Sequence, residues 1–543
     1  MALTACLEHP IKKVLYDKVS EAEKNVAIAI NKDVDILFVI DNSGSMADEQ
    51  ELLSANFKSF IDVLEAPDVN ANYRIGITTT DSGNPRCPSA DTTPEGGKLV
   101  LSSCVDRALA GEFTLEQQNE DYSDACYNFC NLDDSQLTAK MKPTETQYSK
   151  GEKKPRKWIE RIEGETNLPD GVTTIQAFQC FGPQGVSGCG FESHLESMYL
   201  ALAQASSEKS ETNYGFLRDA AILSIVFLTD EVDCSYKNEY KEIFTTNKVF
   251  WEDPNNGVVS TSAVCWNAGV KCEGAGPKYE RCWATNYDIT GKPDVPDDQA
   301  VLQPLSKYIN FVQNIENQKK MYDPNQEVLV ALIAGVPPGY EDGSADIIYE
   351  DSSDPMFQED FGIGPGCTYT PMGATSPQTA LPPVREREFA EHFQVGDKRN
   401  LFSICQNDYS KALEAIATRI RDQIKPACMP NCVKDTDPST EVLEPSCQLF
   451  EENLALGTRN QIEECQEVNG QWVAPAGATV CFAMLIDKEG LTPSKIDDMS
   501  EECVAEGYNL EFLLIRSGAA PAGTTISAAC ELSPNKGRDC PDL

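Results

Sequence analysis

The chain has 543 residues, enough for three or four domain-sized units at about 150 residues each. Hydrophobic residues make up 41% and charged residues 24%, ordinary globular usage that excludes wholesale disorder and collagen-like repeats. Acidic residues outnumber basic ones 86 to 45, leaving a net charge of −41, which argues against nucleic acid as a partner and favours bound cations.

The first 31 residues read as a tether. Residues 34–40, Val-Asp-Ile-Leu-Phe-Val-Ile, are a nearly continuous apolar run, as expected of a strand buried on both faces of a parallel sheet. A helix is predicted over 47–66, with Leu52, Leu53, Phe57, Phe60, Ile61 and Leu64 at helical spacing. Residues 73–80 read as a strand and 98–101 as a short edge strand. Further on come a helix at 191–205, a central strand at 222–228, a helix at 300–315, strands at 328–336 and 401–405, and a final helix at 409–424. This alternation predicts an α/β fold, a doubly wound and mainly parallel sheet with right-handed crossovers covering both faces.

That domain, 32–425, is interrupted near 82–172, 234–296 and 337–398 by stretches rich in Gly, Pro, Asp and Cys. They read as disulfide-stapled excursions, most of them following the carboxyl ends of strands, where open sheets bind ligands. Residues 426–543 predict a small β-rich, cysteine-rich module with strands at 480–485, 510–515 and 524–529 and no chemical motif. The longest apolar runs, 220–228 and 328–336, fall short of the roughly 20 residues a spanning helix needs.

Twenty-one cysteines point to disulfides and an oxidising compartment. No C-x2-C pair occurs and the chain has three histidines, His9, His194 and His392, which argues against structural zinc. Cys6 stands alone, while residues 87–405 hold twelve cysteines and residues 428–540 hold eight. Pairing is therefore expected within each region, up to ten disulfides, with Cys6 left over. Leu3-Thr4-Ala5-Cys6 resembles the bacterial lipobox, which implies a lipid on Cys6 and a protein tethered outside the cytoplasm.

The most informative residues follow the first strand: Asp41-Asn42-Ser43-Gly44-Ser45-Met46. An Asp and two hydroxyls at alternate positions in a tight turn can aim three oxygens at one point, the donor type that Mg2+ and other hard divalent cations want. Asp230 ends a second central strand, and in a doubly wound sheet the two strand ends can be neighbours at the switch point. The same residues are also ordinary turn chemistry, and Ser45 with Asp48 has the spacing of a helix capping box.

Asp41-x-Ser43-x-Ser45 after a hydrophobic strand, with Thr229-Asp230 ending a later one, resembles the von Willebrand factor A domain and its metal-ion-dependent adhesion site. Gly188-Cys189-Gly190-Phe191-Glu192 and the 400–405 segment resemble the secreted, cysteine-rich versions in deltaproteobacteria and their relatives. The resemblance implies Mg2+, or Mn2+ or Ca2+, held directly by Ser43 and Ser45, with Asp41 and Asp230 bound directly or through water. It also implies one position open to an acidic group of a protein partner. Where the family has a threonine in the second loop, this chain offers Ser187 or Glu192. Glu192 is preferred, as a carboxylate able to turn towards the metal from the start of a helix. Asp48 and Glu49 resemble the adjacent cation site of integrin β subunits, against which stands simple solvent exposure.

No H-E-x-x-H, G-x-S-x-G or P-loop pattern is present, and His194 is expected on a helix surface near the proposed site. The reading is a monomeric, non-catalytic, extracytoplasmic binding protein. The alternatives are a structural envelope module with a vestigial site, or a metal-dependent hydrolase acting through the inserted loops.

Overall fold

The computed structural model describes residues 23–27, 32–66, 69–88, 92–115, 120–149, 151–255, 257–321, 326–371, 377–424, 427–440, 442–453, 457–468, 470–488, 490–516 and 524–543. Cys6, His9 and the lipobox-like residues lie outside this set. The chain forms two compact units, one of them Asn31–Lys425.

This unit is a mixed α/β fold around a seven-stranded sheet. Its strands are β1 Asp33–Ile40, β2 Asn72–Thr79, β3 Ile159–Ile162, β4 Glu165–Thr166, β5 Ile222–Leu228 and β6 Leu329–Ala334. A small hairpin, β7 Cys367–Tyr369 with β8 Gln378–Ala380, stands apart, and β9 Leu401–Ser403 completes the sheet. The sheet order is β9-β6-β5-β1-β2-β3-β4. The first five strands in that order are parallel, and β3 and β4 are antiparallel.

The principal helices are α1 Ala47–Leu64, α2 Thr174–Phe181, α3 His194–Ala205, α4 Leu305–Lys319, α5 Val384–His392 and α6 Ser410–Gln423. Alternate residues of β1 enter different cores, as the two-residue period of a strand dictates. Ile36, Phe38 and Ile40 pack with α1, α2 and α6, whereas Leu37 and Val39 pack with α3, α4 and α5. Both faces of β1 are therefore buried, which explains its unbroken apolar sequence.

The segment 98–101 is not a strand. Val100 N–H makes one bond to Ile77 O at 2.8 Å, and the strand that pairs with β2 is β3, from inside the first insertion. Arg74 and Glu160 hold that edge with a buried 2.6 Å ion pair. Helix α3 starts three residues later than its apolar pattern suggested, and α4 starts after Pro304, which cannot donate to a preceding turn.

The insertions are not structureless. Residues 232–302 and 347–384 share a separate apolar core that includes Phe244, Trp251, Trp266 and Tyr349. Disulfides close these loops: Cys87–Cys189, Cys104–Cys126, Cys130–Cys180, Cys234–Cys265, Cys272–Cys282 and Cys367–Cys405. Such links restrict the unfolded chain most where the loop is long.

The other unit is Pro426–Leu543 joined by the strand Glu23–Ala27. Within the stretch expected as a tether, Glu23–Ala27 is instead a strand, which pairs antiparallel with Thr524–Glu531 at the edge of a seven-stranded sheet. An open strand edge offers unpaired backbone groups, and the five-residue segment answers it without any apolar alternation of its own. Cys428–Cys503, Cys432–Cys540, Cys447–Cys530 and Cys465–Cys481 lie within this unit. Every cysteine from Cys87 to Cys540 is thus paired inside its own region. Among the described residues no helix is long and apolar enough to cross a membrane.

Phe57 of α1 stacks on Phe178 of α2 with centroids 3.5 Å apart and meets Phe38 of β1 edge-on. Phe57→Ala should lower the unfolding free energy of this unit by ~3–5 kcal/mol, read as a shift in its urea midpoint. A loss below about 1 kcal/mol would show that this aromatic cluster does not anchor the sheet.

Candidate metal centre

Strands β1 and β5 are adjacent and parallel, with Ile40 opposite Leu228. The residues after them therefore emerge side by side. The Asp41 N–H donates to Leu228 O at 3.0 Å, extending the ladder one step and setting Asp41 beside Thr229 and Asp230. Asp41 Oδ1 then accepts the Ser43 N–H at 2.8 Å, the turn that an Asp two residues ahead of an amide favours. Its Oδ2 accepts the Thr229 hydroxyl at 2.7 Å.

The capping role open to Ser45 is not taken. Helix α1 is preceded by Met46 with no side-chain cap, and Ser45 is exposed. Its hydroxyl instead lies near the Asp230 carboxyl and favours the ionised form.

Gln50 ties the first loop to the second. Its Nε2 donates to Asp41 O and Gly185 O, both at 2.8 Å, while its Oε1 accepts from the Gln184 and Gly185 amides. Gly188 N–H donates to Asn42 O at 2.8 Å. A β-carbon on Gly188 would stand 2.3 Å from Asn42 Oδ1, so this approach demands glycine.

Glu192 lies just before α3 rather than inside a helix. Ser193 N–H donates to Thr80 O at 3.0 Å, and Glu192 Oε2 accepts from the Thr80 hydroxyl. Burial, then Asp41, push the Glu192 carboxyl well above the usual range. Ser187 is half-buried in the preceding turn.

Two expectations are corrected. His194 is not on a helix surface: it is fully buried, with Nε2 2.6 Å from Thr229 Oγ1 and Nδ1 3.2 Å from Glu386 Oε1. The helix turns that face inward because α5 of the third insertion covers it. Simple exposure does not describe Asp48 and Glu49 either. Asp48 accepts from Gln378 of β8, and Glu49 is buried. Tyr369 of β7 brings its hydroxyl to the same side, and its pKa is raised by burial and then by Glu49, Asp48 and Asp230.

Several buried oxygens here have no hydrogen-bond partner: Asn42 Oδ1, Ser43 Oγ, Glu49 Oε2, Glu192 Oε1 and Asp230 Oδ1. Leaving such groups unmet costs about 1–3 kcal/mol each. Carboxylates and a hydroxyl together are the donor set of a hard divalent cation. Asp230 is pushed up to about 7, first by burial and then by Asp41, with the nearby Ser45 hydroxyl opposing. Glu49 is raised by burial and Asp230. The residues present fit a cation of this class.

Sequence reasoning missed Gln50, Thr229 as the donor to Asp41, Glu386 and Tyr369. The last two come from the third insertion, where no periodicity marks them. In the second unit Asp487, Asp497 and Asp498 bring carboxylate oxygens within 4.8 Å of one another. There Asp487 is spent on the Leu491 and Thr492 amides and Asp497 on the Thr492 hydroxyl, which closes the loop on itself.

No protein-family model matches the chain, and no curated protein does. Among solved structures it is similar to the pilus adhesin SpaC from Lactobacillus rhamnosus GG, at 10% identity and TM-score 0.27, over 93% of this chain and 40% of that one. It is also similar to the pilus adhesin RrgA from Streptococcus pneumoniae, at 11% identity and TM-score 0.25, over 95% and 58%. The chain thus spans less than two thirds of either protein, and likeness at this level carries no functional weight.

The crowded carboxyls have a consequence without any ligand. Asp230 holds its proton to about pH 7 when folded, but an unfolded Asp releases it near ~4. Between those values the folded state binds more protons, so in EDTA stability should fall as pH rises. Glu49 and Glu192 act in the same direction. Melting curves from pH 4.5 to 7 should show the fall, and Asp230→Asn should reduce it. An equal slope in the variant would show that Asp230 is not strained.

Proposed function

We propose that the chain is an extracytoplasmic binding protein of von Willebrand factor A type, its sheet doubly wound, acting through a divalent cation. Ser43, Ser45 and Asp230 would hold Mg2+, Mn2+ or Ca2+. Glu192 would complete the set from the second loop, with Asp41 fixed behind them. The bound cation would supply one open position to an acidic group of a protein partner. The observation that carries this reading is the set of buried, unpaired oxygens that follow β1 and β5, Ser43 Oγ and Asp230 Oδ1, with Glu192 Oε1 in the loop before α3.

Ten disulfides support an oxidising, extracytoplasmic location. Within the hydrolase alternative the nearest arrangement to a catalytic triad is Thr229, His194 and Glu386. Thr229 is fully buried and its hydroxyl proton is directed at Asp41, which favours a supporting role over a nucleophilic one. The vestigial reading predicts no response to cations.

Titrating the full chain with MgCl2 or MnCl2 after EDTA treatment tests the proposal. A ligand that binds only the folded state adds about 2.7 kcal/mol at a hundredfold excess over Kd, so Tm should climb with cation concentration. Asp41→Ala should keep the fold, because it removes no core packing, and lose that climb. A flat response in the unmutated chain would favour the vestigial module.

A further inference from the structure

Behind Asp41 lies a line of buried groups that the cation reading leaves without a role. Thr229 Oγ1 has three neighbours: Asp41 Oδ2 at 2.7 Å, the Glu231 amide nitrogen at 3.0 Å and His194 Nε2 at 2.6 Å. A hydroxyl carries one proton and two lone pairs. The hydroxyl donates to Asp41 Oδ2 and accepts from the Glu231 amide, so the proton and one lone pair are already used. The remaining lone pair faces His194, whose Nε2 must therefore be the donor.

The other imidazole nitrogen is addressed from a different part of the chain. Nδ1 is 3.2 Å from Oε1 of Glu386, which is fully buried on α5. The preceding residue, Arg385, donates from Nε to Asp233 Oδ2 at 3.0 Å and from its Nη2 to Gln303 O at 2.7 Å. Asp233 Oδ1 in turn accepts the Leu195 N–H at 3.1 Å. Helix α5 thus meets the first turn of α3 in two ways: Glu386 sets its charge against the His194 ring at ion-pair distance, without hydrogen-bond geometry, and Arg385 holds the Asp233 that accepts the Leu195 N–H.

We propose that His194 and Glu386 are positioning residues of the cation site. His194 commits the Thr229 proton to Asp41 Oδ2. With Oδ1 already held by the Ser43 amide, this leaves the Asp41 carboxylate one orientation. Glu386 sets the ring so that Nε2 points at Thr229. The third insertion then has a task in the site: it carries the clamp that orients the imidazole. This inference rests on the cation reading above, and it adds residues that do not touch the cation.

The test is Mn2+ affinity of the full chain, by calorimetry at one pH, in four variants. His194→Gln places an amide nitrogen where Nε2 stood. His194→Asn places one where Nδ1 stood and withdraws the donor from Thr229. Supporting residues around a metal site are commonly worth 10–100-fold in affinity, so His194→Asn should weaken Mn2+ by that factor while His194→Gln retains most of it. Thr229→Val should weaken it likewise. The double variant His194→Asn/Thr229→Val should be no weaker than Thr229→Val alone, because His194 acts through that hydroxyl. Wild-type affinity in His194→Asn, equal loss in His194→Gln and His194→Asn, or additive losses in the double variant would each overturn the proposal. Absence of Mn2+ binding by the unmutated chain would instead remove the cation reading, and this inference with it.

Discussion

The hydrogen bond from the Asp41 amide to the Leu228 carbonyl is the contact on which the site depends. It exists because β1 and β5 pair in parallel with Ile40 opposite Leu228. That register is held by side chains on both faces, since a one-residue slip would exchange the Phe38 and Leu37 environments. Core packing therefore decides where two carboxylates meet. The burial of Asp230 beside Asp41, which raises its carboxyl, follows from the same pairing, and so does the reach of Thr229 to Asp41.

Crowded carboxylates are a cost that the fold carries in several ways. Gln50 and Gly188 pin the two loops so that the acidic groups cannot swing apart. The disulfide Cys87–Cys189 anchors the second loop three residues before Glu192. On the far side, Leu381 N–H donates to Asp230 O at 2.7 Å, bringing the strand end under the third insertion. Each of these elements restricts motion that would otherwise relieve repulsion by exposing the carboxyls to water. These ties hold the loops together without a ligand, and such preorganisation would lower the ordering cost of taking one up.

Much of the sheet was legible because its strands are short, apolar and buried on both faces, as 34–40 and 222–228 are. Segment 98–101 was misread because Leu-Val-Leu has the composition of an edge strand. The edge was instead claimed by Ile159–Ile162, whose charged Glu160 and Arg161 hide it in sequence. The turn from Asp41 to Ser43 was legible because such chemistry is local, and the place of Asp230 beside it followed from two apolar strands that pair in parallel. His194 was misplaced for the opposite reason. Its surroundings come from Glu386, nearly two hundred residues later, and no spacing within α3 signals that a helix will cover it. The tether was overdrawn for a similar reason, since Glu23–Ala27 becomes a strand only through the edge of Thr524–Glu531.

The choice between Ser187 and Glu192 in the second loop shows how these levels combine. Ser187 sits beside Gly188, whose amide is spent on Asn42 O, so its place is set by the junction of the two loops. Glu192 follows the Cys189 anchor and precedes an amide bound to Thr80 O, so its side chain leaves an immobile backbone. One of its oxygens is taken by Thr80, and the other is buried and unmet, with Asp41 close enough to raise the carboxyl. A serine in that place would bring no charge to the site. A glutamate brings a full one, and burial makes its ionisation depend on a positive neighbour. The fully buried carboxylate is thus suited to act together with a cation, and in the proposed function its negative charge would moderate the cation's attraction for an acidic partner.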